Sequence, residues 1–133
     1  MSISNNFSVD DVLNFTDQSG ITGSYDSVNG TLTLTGSASL VEYQAALQSI
    51  TYVNTSDDPS NLTRTVIFQI NDGNDDSNIV SRDIDFTAVN DAPVLSAIET
   101  APASYTENDT PLAITGSTTV SDVDDTNIDR AIV

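Results

Sequence analysis

The sequence predicts an all-β protein: an antiparallel Greek-key β-sandwich with one short crossover helix. Three observations carry that prediction. Apolar and polar residues alternate in run after run, the period of a half-buried strand. The runs are separated by stretches rich in Asp, Asn, Ser, Gly and Thr, the residues that turns require. A single segment departs from the alternation to three- and four-residue spacing.

The elements follow in chain order. SYDSV and TLTLTG (Thr31–Gly36) flank Asn29-Gly30, and both of those residues accept positive φ, so a type I′ hairpin is expected there. Leu32 and Leu34 share one face of the second strand. SASLVEYQAALQSI then places Leu40, Tyr43, Leu47 and Ile50 on a helical stripe behind a Ser39/Glu42 capping box. One helix is expected from about Leu40 to Gln48, with its stripe packed in the core and not serving as a binding surface. SITYVN (Ser49–Asn54), RTVIFQIN (Arg64–Asn71) and IVSRDIDFTAV (Ile79–Val89) are further strands, in which Phe68 and Phe86 read as core. PVLSAI (Pro93–Ile98), LAITGSTTV (Leu112–Val120) and IDRAIV (Ile128–Val133) complete the set. Asp10-Asp11 and Asp57-Asp58 read as turn or helix-start residues.

The length suits one domain, since a sandwich of about 100 residues is common. VNDAPVL (Val89–Leu95) nevertheless reads as a joint between folded units. It divides the chain into a body, 1–93, and a tail, 94–133, too short to bury a core of its own.

Charge excludes several partners. Twenty acidic residues face three arginines, Arg64, Arg82 and Arg130, for a net of −17. Such a chain repels phosphate backbones and anionic membranes, so nucleic acid is not expected as a partner. The carboxylates either keep the protein soluble or gather to bind cations. At 38% hydrophobic residues the chain is rich enough to fold. No apolar run approaches the ~20 residues of a membrane span, so no membrane insertion is expected. MSISNNF lacks the basic and apolar regions of a signal peptide. A fragment, or export by a route the sequence does not display, is the expectation. The absence of cysteine says little about compartment.

The inventory argues against an enzyme. There is no histidine and no cysteine, so the commonest general base and the thiol nucleophile are missing. No glycine-rich phosphate loop follows a strand. Carboxylate pairs able to cleave glycosides arise by chance among this many acids. Asp58-Pro59 is an acid-labile type of bond, but its proline suits the Ser-Asp-Asp-Pro-Ser turn.

VIFQINDGNDDSNIVSRDIDFTAVNDAP resembles the end of a cadherin repeat: a strand, the Asp72-Gly73 loop, a last strand, and an Asn90-Asp91-Ala92-Pro93 linker. YTENDTPLAITGSTTVSDVDDTNID resembles the start of the next repeat, with Glu107 at the early glutamate and Asp122-Val123-Asp124 at the Asp-x-Asp loop. With LTLTGSASLVEYQAALQSITYVNTSDDPSN ahead of VNDAP, almost the whole chain resembles the bacterial cadherin-like repeats of large surface adhesins and biofilm-matrix proteins. The resemblance implies an extracellular or cell-surface calcium-binding module. It implies Asp72, Asp91, Glu107, Asp122 and Asp124 as calcium ligands, with Asn90 adding a side-chain or backbone oxygen. Two departures reduce the expected ions to one or two: Thr87 stands at the linker's leading aspartate, and the glycine after Asp-x-Asp-x is missing, with Thr126 nearby. The alternative is that these are solvated turn residues.

The order of the two parts is reversed relative to one repeat. The tail is therefore expected to be the front of a sandwich, closing on its own chain or completing a neighbouring copy. The second case gives head-to-tail fibres, since a heterologous contact that does not close propagates. A third case is an array cut at an arbitrary point. Two other functions stand beside assembly: a monomeric, calcium-stiffened spacer, and a carbohydrate-binding domain meeting surface glycans through Tyr25, Tyr43, Tyr52 or Tyr105.

Overall fold

The computed structural model describes all 133 residues, Met1–Val133. They form nine strands in antiparallel sheets and a single helix, the all-β sandwich with one helix that the alternation predicts. The chain divides into two compact units, Met1–Ala88 and Val89–Val133. The Val89–Pro93 joint thus belongs with the second unit.

The first unit holds β1 (Ser2–Asn5), β2 (Asp11–Asn14), β3 (Thr22–Asp26), β4 (Thr31–Thr35), α1 (Leu40–Gln48), β5 (Thr51–Asn54), β6 (Arg64–Phe68) and β7 (Val80–Ile84). One sheet has five strands in the order β3-β4-β1-β6-β7, and the other is only β2-β5. The chain passes between the sheets repeatedly, with α1 making the crossover from β4 to β5. β1 lies between β4 and β6, neither of them its sequence neighbour, as Greek-key connections require. Ile3, Leu13, Leu32 and Val66 are buried together from both sheets, with Phe15, Tyr52, Phe68 and Ile84 packed around them.

Local chemistry accounts for the boundaries. The Ser39 hydroxyl accepts from the Glu42 amide at 3.3 Å, and the Glu42 carboxylate accepts from the Ser39 amide at 2.8 Å, so the helix starts at the expected capping box. The hairpin differs from expectation. Asp26 pairs with Thr31, leaving a four-residue loop in which Gly30 alone takes positive φ, +63°. The Asp26 carboxylate accepts from the Val28 amide at 2.9 Å and the Asn29 side chain at 2.7 Å, and these bonds hold Asn29 out of the two-residue turn. The helical stripe is also a correction. Ala46 is fully buried, while Leu40 is 86% exposed and Tyr43 and Leu47 are half-buried.

Asp11 corrects the sequence reading most. It lies in strand β2, and neither it nor Arg64 on β6 is exposed beyond 1%. The Asp11 carboxylate accepts from Arg64 Nε at 3.2 Å, Tyr52 Oη at 2.5 Å, Asn54 Nδ2 at 2.6 Å and the Ser8 amide at 2.8 Å. Arg64 also donates to the carbonyls of Ser60 and Leu62, both at 2.6 Å, and stacks 4.9 Å from the Phe86 ring. This network ties β2 and β5 of the small sheet to β6 of the large one. Burial pushes the Asp11 pKa up, but the bonds from Tyr52, Asn54, Ser8 and Arg64 outweigh it and hold the group below its ordinary range. Burial and the bond to Asp11 push the Tyr52 hydroxyl up to about 12.

The second unit contains β8 (Val94–Ser96) and β9 (Thr119–Ser121), which pair with each other with Leu95 opposite Val120. Leu112–Thr118 and Ile128–Val133, expected as strands, are not strands. A strand needs a partner for its backbone groups, and this unit supplies only one pair. Glu99 clamps it, accepting from the Gly116 amide at 2.9 Å and the Thr115 hydroxyl at 2.7 Å. Those bonds hold the Glu99 pKa down at about 2.

Candidate metal centre

The loop after β9 gathers carboxylates. Asp122 Oδ1 accepts from the amides of Asp124, at 3.3 Å, and Asp125, at 3.1 Å, an Asx-type turn that folds the loop back on its first residue. Carboxylate oxygens of Asp122, Asp124 and Asp125 then lie within 4.8 Å of one another. Calcium holds its oxygens at about 2.3–2.6 Å, so two ligands of one ion are separated by at most about 5 Å, and the spacing fits. The Asp91 amide donates to Asp124 Oδ2 at 2.9 Å, which fixes the linker to the loop. Asp124 Oδ1 is buried and has no hydrogen-bond partner. An orphaned carboxylate oxygen facing two other carboxylates is a position a hard cation would satisfy.

The electrostatics agree with crowding of like charge. The Asp91 amide pulls the Asp124 pKa down, but burial and the neighbouring Asp122 carboxyl outweigh it, so the net shift is upward. Burial pushes Asp122 up, but bonds from Asp124 and from the amides of Asp125 and Asp124 hold it below its ordinary range. The two titrate as a pair.

The other expected ligands sit elsewhere. Asp72 is exposed in the β6–β7 loop of the first unit, and its Oδ1 accepts from the amides of Asn74 and Asp75, both at 2.9 Å. Those amides, Asp75 foremost, lower its pKa. Asp76 is bonded by the Asn71 side chain at 2.8 Å, so the acids of this loop close the loop itself. Asn90 donates its side-chain amide to the Asp91 carbonyl. Asp91 reaches the centre by its backbone amide, and its carboxylate is outside the cluster. Glu107 is exposed in the turn closed by the Asp109 amide on the Thr106 carbonyl at 3.0 Å, and is outside the cluster too. Asp125 belongs to the same acidic loop by sequence but lies outside the ligand set that the resemblance implies. Its signal was adjacency to Asp124, but which of three consecutive loop acids converge is set by the turn.

All four tyrosine hydroxyls donate within the protein: Tyr25 to the Asp11 carbonyl, Tyr43 to that of Gly36, Tyr52 to the Asp11 carboxylate and Tyr105 to the Asp109 carbonyl. No helix is long and apolar enough to cross a membrane. No family model matches the chain, and no match was found among curated proteins or among solved structures.

Proposed function

We propose that this chain is a calcium-binding, non-catalytic structural module of an extracellular or cell-surface adhesive protein, and that it assembles head to tail with copies of itself or with neighbouring repeats. One observation carries the calcium reading: the Asp122–Asp125 turn brings three carboxylates together and leaves Asp124 Oδ1 buried without a partner. Asp122, Asp124 and Asp125 hold the ion, backbone carbonyls and water complete its shell, and the Asp91 amide orients Asp124. The cation neutralises an acidic loop and ties the Val89–Pro93 joint to the β9 end of the same unit. The motif order quoted above supports the cadherin-like, extracellular setting, and the missing histidines and cysteines support a non-catalytic role.

Isothermal titration calorimetry of the full chain tests the site. Calcium is expected to bind at a Kd of about 10⁻⁴ to 10⁻³ M, as in extracellular modules. Asp124→Ala is expected to abolish the heat, and Asp72→Ala to leave it unchanged. Unaltered binding by Asp122→Ala/Asp124→Ala would place calcium elsewhere.

A further inference from the structure

The first unit is an unequal sandwich. Five strands face two, and the Phe68 end of β6 and the inner face of β7 are left only partly covered. The uncovered part is an open groove of about 720 Å³ lined by Leu13, Tyr52, Val66, Phe68, Ile84 and the stripe of α1. β5 bonds to β2 on one edge only, and its residues Thr51 and Tyr52 line the groove. In a chain of 20 acids this groove contains no carboxylate. Its one charged side chain is Arg82, which is exposed and has no ion-pair partner.

The second unit shows the complementary defect. None of its residues is buried. Leu95 and Val120 form a cross-strand pair yet remain 64% and 55% exposed. A two-stranded ribbon without a covering layer is marginal in water. This unit is also acidic, with eight carboxylates against Arg130, so its charge suits a groove whose only charge is positive.

We propose that the groove of the first unit receives the β8–β9 ribbon of a second copy. The ribbon adds to the free edge of β5 and lays Leu95 and Val120 over the partly buried Phe68 and Ile84. Backbone hydrogen bonds along β5 give affinity, and the apolar pair sets register. Arg82 at the rim selects an acidic guest. The inference rests on the assembly reading above and is independent of the calcium site.

The chain has no cysteine, so disulfide trapping is clean. Thr51, Ser96 and Thr119 are exposed, and variants there retain the fold, checked by far-UV circular dichroism. Equal amounts of Thr51→Cys protein and either Ser96→Cys or Thr119→Cys protein are mixed and oxidised, in EGTA and in calcium. Neighbouring strands bring outward side chains within disulfide reach. Heterodimer is expected at least fivefold above the like-with-like dimers, and Arg82→Glu or Val120→Asp is expected to remove that excess. Absence of the excess with both ribbon variants overturns the proposal. So does an internal bond in a single chain carrying Thr51→Cys and Thr119→Cys, because the ribbon then covers its own groove. If trapping fails while calorimetry still records calcium binding, the docking falls and the calcium reading stands.

Discussion

Replacing Asp11 by Asn tests whether the buried network holds the two sheets together. The carboxylate is fully buried and accepts four hydrogen bonds, from Arg64, Tyr52, Asn54 and Ser8. Asn keeps the volume and one acceptor oxygen. It removes the charge that balances Arg64, which is itself 1% exposed. Breaking a buried pair from one side costs about 3–5 kcal/mol. The Ser60 and Leu62 carbonyls still hold Arg64 in the variant, so the low end applies, about 3 kcal/mol. A domain of this size is stable by about 5–15 kcal/mol, so the variant folds and the loss is measurable. Urea titration followed by far-UV circular dichroism in EGTA at pH 7 reads it. Asp11→Leu combined with Arg64→Met restores apolar packing without a charge, and should lose at least about 2 kcal/mol less than the two single variants added together. The pH dependence has a fixed sign. The folded pKa of Asp11 is depressed, so its contribution is complete above the unfolded value of about 3.9 and is lost as pH falls through the folded value. A loss under about 1 kcal/mol for Asp11→Asn, or additivity within about 0.5 kcal/mol in the cycle, would refute the reasoning.

The remaining predictions need simpler readouts. Tyr52 should ionise near 12 in a spectrophotometric titration, and Asp11→Asn should bring it back toward 10 by removing the adjacent carboxylate. Because that folded pKa is raised, the associated stability is present below pH ~10 and is lost as pH rises toward the folded value. Gly30→Ala should destabilise the first unit by about 1–3 kcal/mol in the same urea assay, since φ is +63° and a Cβ would stand 2.6 Å from the Phe7 ring. Glu99 should titrate near 2 by NMR of its side-chain carboxyl, and Thr115→Val should raise that midpoint by removing a donor.

How far the sequence could be read varied with the range of the interaction. The helix from Leu40 to Gln48 was legible because its cap, Ser39 with Glu42, is three residues wide and needs nothing distant. The paired runs Thr31–Thr35 and Arg64–Phe68 were legible because alternation survives wherever a sheet has one wet face. Asn29-Gly30 misled, because the Asp26 side chain competes for the same loop. Asp11 misled as well, although Arg64, Val66 and Phe68 alternate onto one face and so placed a cation in the core, where an acid had to meet it. The partner 53 positions away could not be picked from twenty acids without the fold.

The sequence by itself determined the class of the protein: an all-β chain, strongly acidic, without histidine or cysteine, with an acidic loop at Asp122–Asp125. These follow from composition and from periodicities over a few residues. Tertiary structure alone decided which acids converge, which one is buried against Arg64, and that five strands face two and leave a groove. It also showed that Leu40 and Leu47, a core stripe by pattern, line that groove. The physical reason is that burial and charge pairing belong to neighbours in space. Strand pairing across tens of residues chooses those neighbours, and local pattern only states which faces are available to them.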